Sequence, residues 1–164
     1  MKRTRLYILY LVLCTLLAGC EGIDCPLNNV VGLHIGFYSS ESGEQVSVLD
    51  TLTITAEGTD SVLFNRGVKT SQVTLPMSYW QDEDVFRLTF IETTTRATRS
   101  ITLRAAKTNI QHYENPDCPS TMFHQLTGVE YDDPNGLVDS VTISNRNVNY
   151  ATQDNIHIYL HTAD

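Results

Sequence analysis

Three groups of side chains in this sequence have the types and spacings that could do chemistry. His157, Tyr159 and His161 alternate with Ile156, Ile158 and Leu160, so both imidazoles fall on one face of a strand and could approach a metal or ligand. Same-face neighbours on a strand stand roughly 7 Å apart, so the two histidines lie about twice that distance from each other. A shared metal would need a bulge, and a solvated polar face is the reading preferred. Asp82-Glu83-Asp84 and Asp132-Asp133 offer hard oxygen ligands that could take Ca²⁺ if their loops met. Neither has a recognisable coordination pattern, and solvated turns account for them more simply. The third group is Tyr79-Trp80, which holds the only tryptophan, beside the acidic loop. Exposed, this pair would be an aromatic platform for stacking on a sugar or docking a protein. Trp80 is nevertheless expected to plug one end of the core, wholly or in part.

Familiar catalytic signatures are missing. The chain has no Gly-x-Ser-x-Gly elbow, no Gly-rich phosphate loop, no His-Glu-x-x-His and no EF-hand loop. A glycosidase would need two carboxylates about 5–10 Å apart in a cleft, and sequence places no pair so. The expectation is a protein that is not an enzyme and uses no cofactor and no metal.

One thiol does carry a chemical signature. Lys2, Arg3 and Arg5 precede an apolar run from Leu6 to Leu17, which breaks at Ala18-Gly19-Cys20, too short to span a bilayer. Leu17-Ala18-Gly19-Cys20 looks like a bacterial lipobox. Residues 1–19 then form a lipoprotein signal peptide, and Cys20 becomes the lipidated first residue. Two or three acyl chains would hold the domain at a membrane, where one chain binds only marginally. Residues 20–29 make a short linker, which keeps the domain close to that membrane.

The leader removes three cations from a chain with 11 Lys+Arg and 19 Asp+Glu, leaving 8 against 19, or a net charge of −11. Phosphate backbones repel such a domain, so nucleic acid is not an expected partner. Of the four cysteines, Cys14 leaves with the leader and Cys20 takes lipid. Cys25 and Cys118, each in an Asp-Cys-Pro tripeptide, are expected to pair in an oxidising compartment. Free thiols or a metal pair are the alternatives, and no CxxC or Cys–His cluster supports the metal.

These residues must be positioned by strands. Val31, Leu33, Ile35 and Phe37 alternate with Gly32, His34, Gly36 and Tyr38, and Ser39 to Gly43 breaks the pattern. Further strands are predicted at about 46–56, 62–64, 71–75, 84–91, 98–105, 122–131, 137–144 and 155–161. Thr93-Thr94-Thr95-Arg96 reads as a hairpin turn and Asp133-Pro134-Asn135-Gly136 as another. Phe86, Leu88, Phe90, Ile101, Leu103 and Ala105 should point inward, while 109–119 reads as irregular. No helical periodicity is found. About eight or nine short, turn-punctuated strands over residues 30–164 suit one all-β domain, an immunoglobulin-like antiparallel β-sandwich, with a closed barrel as the alternative.

Several segments together carry a resemblance: Cys25, Gly36-Phe37-Tyr38-Ser39, Leu49-Asp50-Thr51-Leu52-Thr53-Ile54, Asp60 to Arg66, Leu75-Pro76-Met77, Cys118-Pro119 and Asp139-Ser140-Val141-Thr142-Ile143. They resemble a family of small uncharacterised Bacteroidetes-type envelope lipoproteins, a domain of unknown function. The resemblance implies an envelope address and a β fold, and it brings no site residues. The expected role is a membrane-anchored, non-catalytic module that binds or scaffolds an envelope protein, most simply on the outer membrane facing the periplasm. A glycan- or calcium-binding lipoprotein is the alternative.

Overall fold

The computed structural model describes Cys25, residues 30–59 and residues 61–161. The expected signal peptide over residues 1–19, Cys20 and the rest of the expected linker lie outside the described residues. Ten strands run in chain order: β1 Gly32–Ser39, β2 Thr51–Ala56, β3 Val62–Gly67, β4 Gln72–Pro76, β5 Glu83–Ile91, β6 Thr98–His112, β7 Thr121–Asp132, β8 Val138–Ile143, β9 Asn147–Val148 and β10 Ile156–Leu160. The described residues contain no helix. Two sheets, one of them curled, pack as a sandwich, one in the order β4-β1-β10-β8 and the other β3-β2-β5-β6-β7-β9.

Alternation explains the sandwich directly. Leu33, Ile35 and Phe37 of β1, Val73 and Leu75 of β4, and Ile156 and Ile158 of β10 are all buried on one side. They meet Leu52, Ile54, Phe86, Leu88, Phe90, Ile101, Leu103 and Ala105 of the larger sheet in one continuous core. Each fully buried side chain of this size contributes about 1.5–3 kcal/mol. Phe37 and Phe90 close the centre edge to face, with ring centroids 6.5 Å apart.

Three features depart from the sequence reading. The first and last strands, β1 and β10, pair in parallel, while every other pair is antiparallel. A two-residue strand, β9, is too short to leave a periodic signal. Strand β6 runs on to His112, through a stretch expected to be irregular. Beyond Ala106 it leaves β5 behind and pairs with β7 alone, across a register shift at Ala106/Lys107. The shift leaves Thr127 as the extra residue and returns Leu126 and His124 to the inner face.

Cys25 and Cys118 are disulfide-bonded, with an S–S distance of 2.07 Å and 93 residues between them in sequence. The bond ties the chain just before β1 to the β6–β7 connection, and so links the two sheets at one end. Chain-entropy arguments put a loop of this length at about 4–5 kcal/mol.

Candidate functional site

Two surfaces combine aromatic side chains with buried charge. The first lies at the disulfide end of the sandwich, where the 77–82 connection joins β4 to β5. Lys107 occupies an inward position of β6 and its side chain is fully buried. Its Nζ donates to the Ser78 carbonyl at 2.8 Å, to Asn109 Oδ1 at 3.0 Å and to the Gln81 carbonyl, and lies 3.4 Å from Asp84 Oδ2. Asp84 accepts in turn from the Ser78 amide. A buried cation thus grips both ends of the loop that carries Tyr79 and Trp80, so the loop is held in shape.

Trp80 is not in the core. It is 89% exposed, against the expectation that it plugs one end, because Met77 takes that interior place and the Lys107 contacts turn residues 78–81 outward. Tyr79 is 38% exposed and its ring stacks 6.4 Å from the His124 imidazole. His124 is buried, its Nδ1 lies 2.8 Å from Asn109 Oδ1, and its Nε2 has no hydrogen-bond partner. Burial and the nearby Lys107 ammonium push its pKa down to about 4, so the imidazole is neutral.

The acidic loops do not come together. Lys107, whose amide bonds the Asp82 carbonyl, and Thr102, opposite Asp132, are five residues apart on β6, roughly 16 Å of strand. Asp84 is not a solvated turn residue but the buried partner of Lys107, and Asp133 accepts from the amides of Asn135 and Val138 to shape the turn. Among the described residues no three His, Cys, Asp or Glu side chains group as metal ligands. His157 and His161 diverge: His157 turns to Asp154, 3.8 Å away, and the His161 amide bonds the Leu137 carbonyl at the opposite end of β10.

The second surface is the outer face of the four-stranded sheet, and here the polar face of β10 is built rather than merely solvated. Tyr38, His157 and Tyr159 pack ring against ring, with centroids 4.1 Å apart for Tyr38–His157 and 5.7 Å for Tyr38–Tyr159. Beneath them sits Asp154, whose side chain is only 8% exposed. Its carboxylate accepts from Tyr38 Oη at 2.8 Å and from Gln72 Nε2. Burial first, then this hydrogen bond and the carboxylate charge, push the Tyr38 pKa up to about 12. Gly36 makes the room: a Cβ there would meet Asp154 Oδ2 at 2.1 Å.

A family model, "Family of unknown function (DUF6452)", matches residues 51–160, two thirds of the chain. The chain belongs to this family. Its matched span begins with β2 and closes with β10, so it covers the whole larger sheet and three of the four strands of the smaller one, all but β1. No curated protein and no solved structure matches the chain.

Sequence reasoning singled out Tyr79, Trp80, His157 and Tyr159, and passed over Tyr38, Gln72 and Asp154. Tyr38 shares a face with Gly36 in the alternation of β1, which was the available signal. Asp154 gave none, since nothing local to 149–155 shows that its carboxylate reaches Gly36 across the sheet.

Proposed function

We propose that this protein is a lipid-anchored, non-catalytic module of the bacterial cell envelope that holds an envelope protein through the outer face of its four-stranded sheet. Anchoring by lipid on Cys20, removal of residues 1–19, and an outer-membrane, periplasm-facing position follow from the lipobox-like Leu17-Ala18-Gly19-Cys20 and the Bacteroidetes-type resemblance.

One observation carries the binding role. The side chains that β4, β1, β10 and β8 alternate onto this face, among them Thr74, His34, Tyr38, His157, Tyr159 and Thr142, include no lysine or arginine, and the carboxylates that reach it are tied up, Asp154 beneath the rings and Asp139, at the β8 bulge, on the Ser140 hydroxyl. Such a face on a chain of net charge −8 is cheap to desolvate, as the centres of protein interfaces are. Its tyrosines are already held by Asp154 and by one another, so little rotamer freedom is lost on contact. The Tyr38 and Tyr159 rings are tilted 44° to each other, which suits a shaped protein surface better than the single plane a run of sugar rings would need.

The test is in-cell photo-cross-linking of the natively lipidated chain, with a photoreactive residue in place of exposed Thr74. One dominant envelope protein should be captured, and Thr142→Lys, which puts a cation on a face that has none, should abolish the capture. Adducts scattered at background, or capture indifferent to Thr142→Lys, would sink the reading.

A further inference from the structure

Most of the large exposed hydrophobic side chains of the described residues gather at the disulfide end. Trp80 is 89% exposed, Val30 66%, Tyr113 55%, Ile110 45%, Tyr150 43% and Tyr79 38%. Their grouping follows from the register. Asn109 Nδ2 bonds the Gln81 carbonyl, which sets Trp80 beside the last turn of β6 pairing, and Ile110 is the next residue along. Tyr113 begins the connection that carries Cys118, and Tyr150 reaches Thr121 Oγ1 at 2.9 Å where that connection ends. Val30 lies two residues before the start of β1, which pairs with the end of β4.

The same end carries the tether. Cys20 lies five residues before Cys25, a span of at most about 18 Å, and Cys25 is fastened to Cys118. The disulfide therefore holds the aromatic end within reach of the headgroups and leaves the four-stranded sheet's outer face beside it free.

We infer that this end docks on the membrane, with Trp80, Tyr79, Tyr113 and Tyr150 seated at the lipid headgroup boundary as interfacial anchors. Indole and phenol rings favour that boundary because their apolar bodies leave water while N–H and O–H stay hydrated. Lys107 holds the Trp80 loop in shape beforehand, so docking orders little. Asp82, Glu83, Glu114 and Asp117 border the patch, so the surface it fits is zwitterionic rather than anionic. The inference rests on the lipid-anchor reading, and it assigns Trp80 to the bilayer rather than to the protein partner.

Trp80 is the only tryptophan, so its emission reports the contact directly. The full chain, processed in a bacterium and reconstituted into phosphatidylcholine–phosphatidylethanolamine vesicles, is compared with the soluble domain starting at Glu21. Intact mass first establishes whether Cys20 carries lipid. Expected are a blue-shifted emission in vesicles, quenching by lipids brominated near the headgroup, loss of quenching by aqueous iodide, and a weaker effect as phosphatidylglycerol is added. An unlipidated Cys20 overturns the anchor reading and this inference together. A lipidated chain whose Trp80 stays open to iodide and untouched by brominated lipid overturns docking alone, as does protection that arises only when a second envelope protein is added.

Discussion

The outer faces of the two sheets are built on opposite terms. The six-stranded sheet turns Arg87, Arg104, Glu130 and Asp132 to solvent, with Arg87 paired to Glu57 at 2.9 Å and Arg104 to Glu83 at 3.8 Å. These pairs are roughly half exposed and hold little energy. The four-stranded sheet turns threonines, histidines and tyrosines outward, tucks the Asp154 carboxylate underneath and leaves Asp139 at the β8 bulge bonded to the Ser140 hydroxyl. A charged face resists burial against another surface, and a neutral one accepts it. Each sheet also hides charge, the larger one a pair and the smaller one a single carboxylate, and the compensation differs. Lys107 is held by carbonyls and a carboxylate inside the larger sheet, whereas Asp154 is held by the neutral donors of Tyr38 and Gln72 outside the smaller one.

The largest way to test that asymmetry is Lys107→Ala. It strands Asp84 and two carbonyls without their cation, and should cost about 3–5 kcal/mol in denaturant unfolding. A cost below about 1 kcal/mol would mean that the buried pair is not what secures the Trp80 loop.

Next comes a matched pair of glycines. Gly36→Val forces a branched side chain into the space of the Asp154 carboxylate and should cost about 2–3 kcal/mol. Gly128→Ala, on the larger sheet, meets nothing nearer than the Ala106 Cβ at 4.0 Å and should be neutral or stabilising by up to about 1 kcal/mol. Equal losses at the two positions would break the comparison.

The two sheets should also fail at opposite ends of the pH scale. His124 binds its proton less tightly folded than unfolded, so its contribution is present above about pH 6.5 and is lost as pH falls toward 4. Tyr38 binds its proton more tightly when folded. Its contribution is complete below pH 10 and is lost as pH rises toward 12. Thermal melts of His124→Gln should therefore show a flatter acid limb, and those of Asp154→Asn a flatter alkaline limb, with the Tyr38 phenol titrating closer to 10 by ultraviolet absorbance. Swapped limbs would refute the assignment.

The smallest effect is expected from Arg87→Ala. Removing one half-exposed partner of Glu57 should change stability by less than about 0.5 kcal/mol, and less again in high salt.

Much of the fold was legible in the chain, for a reason that particular residues display. Leu33-Ile35-Phe37, Phe86-Leu88-Phe90 and Ile101-Leu103-Ala105 alternate without interruption, and a period of two with one apolar face permits little besides a half-buried strand. The Thr93–Arg96 turn and the Cys25–Cys118 pair were readable for similar reasons: turn chemistry is local, and only two thiols were left to pair. Legibility ended at Lys107. An ammonium at the next inward position reads as the end of a strand, and only Ser78, Gln81, Asp84 and Asn109, gathered from elsewhere, make it an interior residue.

Trp80, which the sequence misplaced, and Asp154, which it did not point to, mirror each other for the same cause. Hydrophobicity argues for burying an indole and charge argues for exposing a carboxylate, yet the one stands in solvent and the other lies beneath two rings. The sequence by itself determined the strands other than β9 and the far end of β6, their inward faces, the turns and the disulfide, because each depends on periodicity, on short-range backbone preference or on a count of thiols. The tertiary structure alone decided the parallel closure of β1 on β10, the seat of each buried charge, the outward Trp80 and the gathering of a sheet face without lysine or arginine. Those depend on which distant groups supply hydrogen bonds and space, and such partners are brought together only by packing.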